Sequence, residues 1–375
     1  EDFKKFVKEN EAWVEDYAMF MAIRPCFDNA CWSEWAEDIR KRWGYSMDYY
    51  KTTYKEDIDF YKYIQYLFDR QWKKLKKYAN DNQIEIVGDI PIYVAFDSAD
   101  AWANPSLFQF DSENNPSAVA GCPPDAFSET GQLWGNPLYN WEYHAKTDYE
   151  WWMKRIAHCY ELYDVLRIDH FRGFDEYWFV PYGDETAVNG EWRKGPGLDF
   201  FVTMKKRFKE EKVIAEDLGF LTDTVLQLLE DTGFPGMKVM QFAFGGDEEN
   251  AYLPHNHIKN CIVYTGTHDN ETIVGWYKGL KKKEKQLIRD YMDDNHTPDE
   301  EFYRSINRMA MAATANICIL PIQDVLGLDN SARMNQPSTV KTNWRWRMDE
   351  GKLTKELSEK LLSFNKKFVI NYLHH

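Results

Sequence analysis

The chain has 375 residues, 44% hydrophobic and 16% aromatic, which suits one large domain or two smaller ones and argues against a disordered protein. Its formal net charge of −15 speaks against nucleic acid as a partner, because phosphate binding calls for clustered Lys and Arg. No run approaches 18 apolar residues, so no membrane span is expected, and six scattered Cys without a CxxC pair fit reduced thiols in a cytoplasmic protein.

Residues 1–80 read as a helical subdomain. "EDFKKFVKENEAWVEDYAMFMAIR" and "IDFYKYIQYLFDRQWKKLKKYANDN" repeat apolar residues at three- and four-residue spacing, and Gly and Pro are sparse. From residue 81 to 375 the pattern alternates. β-rich runs fall at 84–94, 163–169, 212–217, 237–244, 261–267 and 315–322, with helical patterns such as "DYEWWMKRIAHCYELY" and "LTDTVLQLLEDTG" between them. Such alternation predicts βα units on a parallel sheet. The basic run "KGLKKKEKQLIR" at 278–289 has helical spacing and reads as a solvated helix face.

Four of these runs lead into a carboxylate near the C-terminal end: Asp89, Asp169, Glu216 and Asp269. In a (β/α)₈ barrel the C-terminal strand ends converge on one face and supply the catalytic groups. Any one of the four alone reads equally well as a helix N-cap; all four together favour a site. A closed barrel needs eight strands and six are visible. The expected fold is therefore α/β, of the TIM-barrel type but incomplete, with strands three to eight present and two expected upstream of residue 1.

Converging carboxylates among many Trp and Tyr point to glycosidic-bond chemistry. A retaining enzyme pairs an ionised nucleophile with a protonated acid about 5–5.5 Å away. Arg167 lies two residues from Asp169, on the same face of a strand, and favours an ionised carboxylate there. Glu216 follows the apolar run "VIA", where burial favours the protonated form. Asp269, beside His268, is placed to meet sugar hydroxyls and an oxocarbenium-like state. The pair of histidines in "HNH" at 255–257 has no third ligand nearby, and no GxGxxG, GxxxxGK[ST] or GxSxG motif occurs. No metal and no cofactor is expected.

"VLRIDHFRG", "VIAEDLG" and "YTGTHDN", in that order, closely resemble the signature segments of the amylomaltases, the 4-α-glucanotransferases of glycoside hydrolase family 77. "VGDIPIYVAFDSADAW", "PPDAFSETGQLWGNPLYNW", "GFPGMKVMQFAF", "YLPHNH" and "NWRWR" extend the likeness over nearly all of the chain. The resemblance implies retaining transfer of α-1,4-glucan segments between malto-oligosaccharides. It implies Asp169 as nucleophile, Glu216 as acid/base and Asp269 as transition-state stabiliser. It also implies sugar contacts from Arg167, His170, His268, Gln132, Trp134 and Asn343, and places Asp89 on the third-strand motif.

Nothing in the chain matches the two barrel strands with which that family begins. The sequence is thus expected to be the C-terminal portion of a longer enzyme, prone to self-association through open sheet edges and weak in turnover alone. Two rival readings remain: an α-amylase-type hydrolase using the same carboxylates, and a glucan-binding fragment without activity. A transferase excludes water, and the stretch 121–141, rich in Pro, Phe and Trp, is the expected cover.

Overall fold

The computed structural model of the protein describes residues 1–124, 128–209, 212–219, 221–337, 339 and 342–367. Residues 125–127 of the expected cover, and the two closing histidines, lie outside them. The chain divides into two compact units, Glu1–Gly233 and Phe234–His375.

The first unit opens with five helices: α1 (Asp2–Glu9), α2 (Glu11–Ile23), α3 (Glu37–Arg40), α4 (Gly44–Thr53) and α5 (Lys55–Asp81). Helix α2 buries Val14, Ala18, Met19 and Phe20 and packs on the 27-residue α5. Helix α5 is tied to the end of the helix Glu150–Leu162, just ahead of the fourth strand. Trp72 Nε1 donates to Leu162 O at 2.8 Å, and Lys76 Nζ donates to Tyr163 O at 2.9 Å.

Among the described residues ten strands follow: β1 (Val87–Ile90), β2 (Ala118–Cys122), β3 (Gln132–Pro137), β4 (Val165–Ile168), β5 (Glu176–Pro181), β6 (Glu191–Lys194), β7 (Val213–Ala215), β8 (Gly236–Val239), β9 (Cys261–Tyr264) and β10 (Ile317–Ile319). In the first unit β1, β4 and β7 form a parallel sheet in the order β1-β4-β7. In the second unit β8, β9 and β10 form another, in the order β10-β9-β8. Five of these six strands fall within the β-rich runs, and β8 begins one residue ahead of its run at 237–244. β4 is short and apolar, with Val165, Leu166 and Ile168 buried, as a strand paired on both edges and covered on both faces must be. Its cover includes the helix Glu150–Leu162, which buries Trp152, Met153 and Ile156. Trp152 packs edge-on against Phe174 and Phe200, 5.5 Å away by ring centroids in each case. The fold class is α/β.

A second sheet in the first unit is antiparallel, in the order β3-β2-β5-β6. Sequence reading assigned no strand to any of its four segments. "AVAGC" and "QLWGNP" carry little β-branched character, and Gly and Pro weigh against strand. The basic run 278–289 divides into the end of one helix, Ile273–Gly279, and the start of another, Lys282–Met292. His255 and His257 turn their ring nitrogens to Tyr291, Glu248 O and Tyr252 O.

Candidate active site

The site in the first unit is built at the C-terminal end of β4. Parallel register sets Asp89 of β1 opposite Arg167 of β4 and Ile90 opposite Ile168. The ladder continues one step past the strand, where Asp169 N–H donates to Ile90 O at 3.0 Å and Glu216 N–H donates to Ile168 O at 2.9 Å. Asp169 and Glu216 thus leave adjacent strands at the same level. Arg167 Nη1 lies 2.6 Å from Asp89 Oδ1 and 3.0 Å from Asp169 Oδ1. The Arg167 side chain is only 12% exposed, against 41% for Asp169, so a sunken cation sits under the more open carboxylate. Burial acts to lower the Arg167 pKa, but Asp89, Asp169 and Glu216 outweigh it and the net shift is upward. The guanidinium is therefore a permanent positive charge.

Glu216 is clasped by the backbone. His170 N–H donates to its Oε2 and Leu218 N–H to its Oε1, both at 2.8 Å. Burial, then the charge of Asp169, pushes its carboxyl up to about 7, against the lowering pull of Arg167 and the two N–H donors. A carboxyl with that pKa changes hands with its proton near neutrality. The clasp depends on a backbone feature: His170 adopts φ +52°, a left-handed conformation that aims its N–H at Glu216. His170 is half-buried, and its pKa falls to about 3, first through desolvation and then through Arg172. Its Nε2 is buried without a hydrogen-bond partner among the described residues.

Trp134 of β3 meets the His170 ring edge-on, 4.9 Å between centroids and 86° between planes. Its Nε1 donates to Gln132 Oε1 at 3.1 Å. The antiparallel sheet that sequence reading missed is thus what carries Gln132 and Trp134 to His170. Tyr93, 6.3 Å from Trp134 and 6.5 Å from His170 by centroids, completes an aromatic wall that sequence reading passed over. Its place three residues after Ile90, the last residue of β1, was the available signal.

His268, Asp269 and Asn343 belong to the second unit, where His268 and Asp269 form a group with Arg333, Asn335 and Trp344. Asn335 Nδ2 donates to Asp269 Oδ1 at 2.7 Å, and Arg333 Nη2 donates to Asp269 O at 2.6 Å. His268 Nε2 lies 3.4 Å from the same Oδ1, and the His268 ring lies 5.2 Å from Trp344. Asn343 has a local occupation: its Oδ1 accepts from Gln336 N–H, and its Nδ2 donates to Thr339 O and Thr339 Oγ1. Arg333, Asn335 and Trp344 were not singled out from the sequence. They lie in a loop with no periodicity, and only "NWRWR" hinted at Trp344.

A family model described as 4-alpha-glucanotransferase, Glyco_hydro_77, matches residues 1–354. The chain belongs to the 4-alpha-glucanotransferase family. It is 49% identical over 363 residues to the 4-alpha-glucanotransferase of Clostridium butyricum, covering 96% of this chain and 74% of that one. Against the 4-alpha-glucanotransferase of Aquifex aeolicus it is 44% identical, covering 95% of this chain and 73% of that one. Among solved structures, the amylomaltase of Streptococcus agalactiae in complex with acarbose superposes with a TM-score of 0.93 at 41% identity, covering 98% of this chain and 74% of that one. The amylomaltase of Corynebacterium glutamicum, at 18% identity and a TM-score of 0.70 over 92% of this chain and 51% of that one, shares the fold. This glucanotransferase has, among its described residues, no helix long and apolar enough to cross a membrane.

Proposed function

We propose that this glucanotransferase moves α-1,4-glucan segments between malto-oligosaccharides with retention, using Asp169 as nucleophile, Glu216 as acid/base and Asp269 as transition-state stabiliser. The observation that carries the reading is the contrast at the end of β4. Asp169 shares the Arg167 cation, while its neighbour Glu216 holds a proton up to about pH 7. In the first step Asp169 attacks C1 of the donor sugar, the glycosidic C1–O bond breaks, and Glu216 gives its proton to the departing oxygen. In the second, ionised Glu216 takes the proton from an acceptor hydroxyl, which attacks C1 and releases Asp169. Two inversions give net retention.

Substrate contacts belong to the same proposal. The orphaned Nε2 of neutral His170 is suited to a sugar hydroxyl, and Trp134 offers a half-exposed ring face beside it. Gln132, Arg167 and His268 are read as further sugar contacts. Asp89 acts through Arg167, and Asn343 through Gln336 and Thr339, which it holds. The solved Streptococcus agalactiae relative, bound to acarbose, supports a glucan-type ligand. A (β/α)₈ barrel is the proposed architecture, because β1, β4, β7 and β9 each deliver a proposed site residue at or beyond their C-terminal end. A helical subdomain over 1–80 with the catalytic portion from 81, and a cytoplasmic location, complete the reading. An α-amylase-type hydrolase would use the same carboxylates; the family match favours transfer.

The test is covalent trapping. A maltosyl donor with a fluoride leaving group, given to Glu216→Gln without an acceptor, should leave a maltosyl ester on the peptide containing Asp169, found by mass spectrometry after proteolysis. Asp169→Asn should show no adduct and lose at least about a thousandfold in turnover, since the nucleophile is gone. An adduct on another carboxylate removes Asp169 from the role.

A further inference from the structure

Asp324 is a carboxylate that the mechanism above does not use, and it is 1% exposed. It sits in the short helix Ile322–Leu326, directly after β10. Its Oδ2 accepts the Thr265 hydroxyl at 2.6 Å, and its Oδ1 accepts the Ile273 N–H at 2.8 Å. Thr265 is the first residue beyond β9, and Ile273 is the first residue of the helix Ile273–Gly279. The loop between these two anchors carries His268 and Asp269. Asp324 is fixed in turn, since Asn307 Nδ2 of the helix Tyr303–Met311 donates to its backbone oxygen at 2.9 Å.

The segment that carries Asp324 reaches the same loop again further along. Asn330 Oδ1 accepts from Thr272 N–H at 3.2 Å, and Asn330 Nδ2 donates to Glu271 Oε1 at 2.6 Å. A Cβ at Gly275 would strike the Asn330 amide, so this approach needs glycine there. Arg333 and Asn335 then hold the backbone oxygen and carboxylate of Asp269 itself. Burying a carboxylate with two donors costs more than burying an apolar side chain of the same size. Packing alone gives no reason for an acid at this position, whereas a need to fix two chain ends to one rigid, two-pronged acceptor does.

We propose that Asp324 is a positioning residue for the transfer reaction, clamping both ends of the Thr265–Ile273 loop so that the Asp269 carboxylate is held in one place. This rests on the reading of Asp269 as the transition-state stabiliser. A carboxylate that acts only as the transition state forms must be placed before it forms. Loosening the loop should therefore lower kcat and leave KM nearly unchanged.

The experiment compares maltotriose disproportionation kinetics and thermal unfolding for Asp324→Asn, Thr265→Val, Thr265→Ser and Asp269→Asn in the full-length protein. Thr265→Val keeps the shape and removes the hydroxyl, and tests the clamp even if Asp324→Asn fails to fold. The expected result is a kcat lower by about tenfold to a hundredfold in Asp324→Asn and Thr265→Val, with KM within about twofold. Thr265→Ser, which keeps the hydroxyl, should restore most of the rate. Parent-like kcat in folded Thr265→Val overturns the proposal, as does a lower melting temperature with kcat unchanged, which is what mere packing predicts. Asp269→Asn separates the two levels. If it is inactive while Thr265→Val is normal, the clamp alone fails; if it turns over normally, the assignment of Asp269 fails and the clamp falls with it.

Discussion

At the scale of single residues, Glu216 gives the account its sharpest consequence. Its carboxyl titrates near 7 instead of 4.5, chiefly through burial. The first chemical step needs the protonated form, so kcat/KM should fall about tenfold per unit as pH rises beyond about 7. Glu216→Gln should suppress transfer from natural glucans but still form the intermediate from donors with activated leaving groups, which need no proton at departure. Equal failure with both donor types would remove the acid role. The same shift has a stability consequence. A carboxyl whose folded pKa lies above its unfolded value holds its proton more tightly when folded, so its stabilising contribution is lost as pH rises from about 4.5 to about 7. Glu216→Gln cannot ionise and escapes that loss. Relative to the parent it should gain on the order of 1–3 kcal/mol between pH 4 and pH 8, read as a melting-temperature gap that widens with pH. The residues of this pair were legible in the sequence because apolar runs ending in charge are rare in a core. The backbone clasp on Glu216 was not, since it depends on the left-handed φ of His170.

At the scale of elements, the sheet β1-β4-β7 fixes the distances on which the chemistry depends. Gly88 in β1 is the tight point, because a Cβ there would run into the Tyr163 ring. Gly88→Ala should cost about 1–3 kcal/mol through overpacking. It should also shift β1 and loosen the link from Asp89 to Arg167, so kcat should drop alongside the melting temperature. Unchanged kcat in the folded variant would mean that the β1 side of the ion-pair chain is dispensable. The parallel strands were readable because strands buried on both faces are near-continuous apolar runs rich in Val and Ile, as in "VLRI" and "CIVY". The antiparallel sheet was not. Its edge strand β6 is exposed along its whole length, and β2 is mostly Ala, Gly and Cys, so no two-residue alternation marks either. That sheet nevertheless delivers Gln132 and Trp134, which were recognisable only through the motif "GQLWG".

At the scale of the whole molecule, the family match over residues 1–354 and the solved relative with a TM-score of 0.93 agree on a 4-alpha-glucanotransferase. The loop chemistry of the second unit was the least legible part. Asp324, Asn330, Arg333 and Asn335 act on a loop more than fifty positions earlier in the chain, a relation that periodicity cannot show. What distinguishes this reading from every carboxylate-based rival is the fate of the glycosyl group on Asp169, which passes either to a sugar hydroxyl or to water. The most direct measurement is the product distribution from maltotriose, followed over time by chromatography with the full-length protein. The account predicts glucose together with maltopentaose and longer chains, with no net gain in reducing ends. Glucose and maltose alone, with reducing ends rising in step, would show hydrolysis and contradict it.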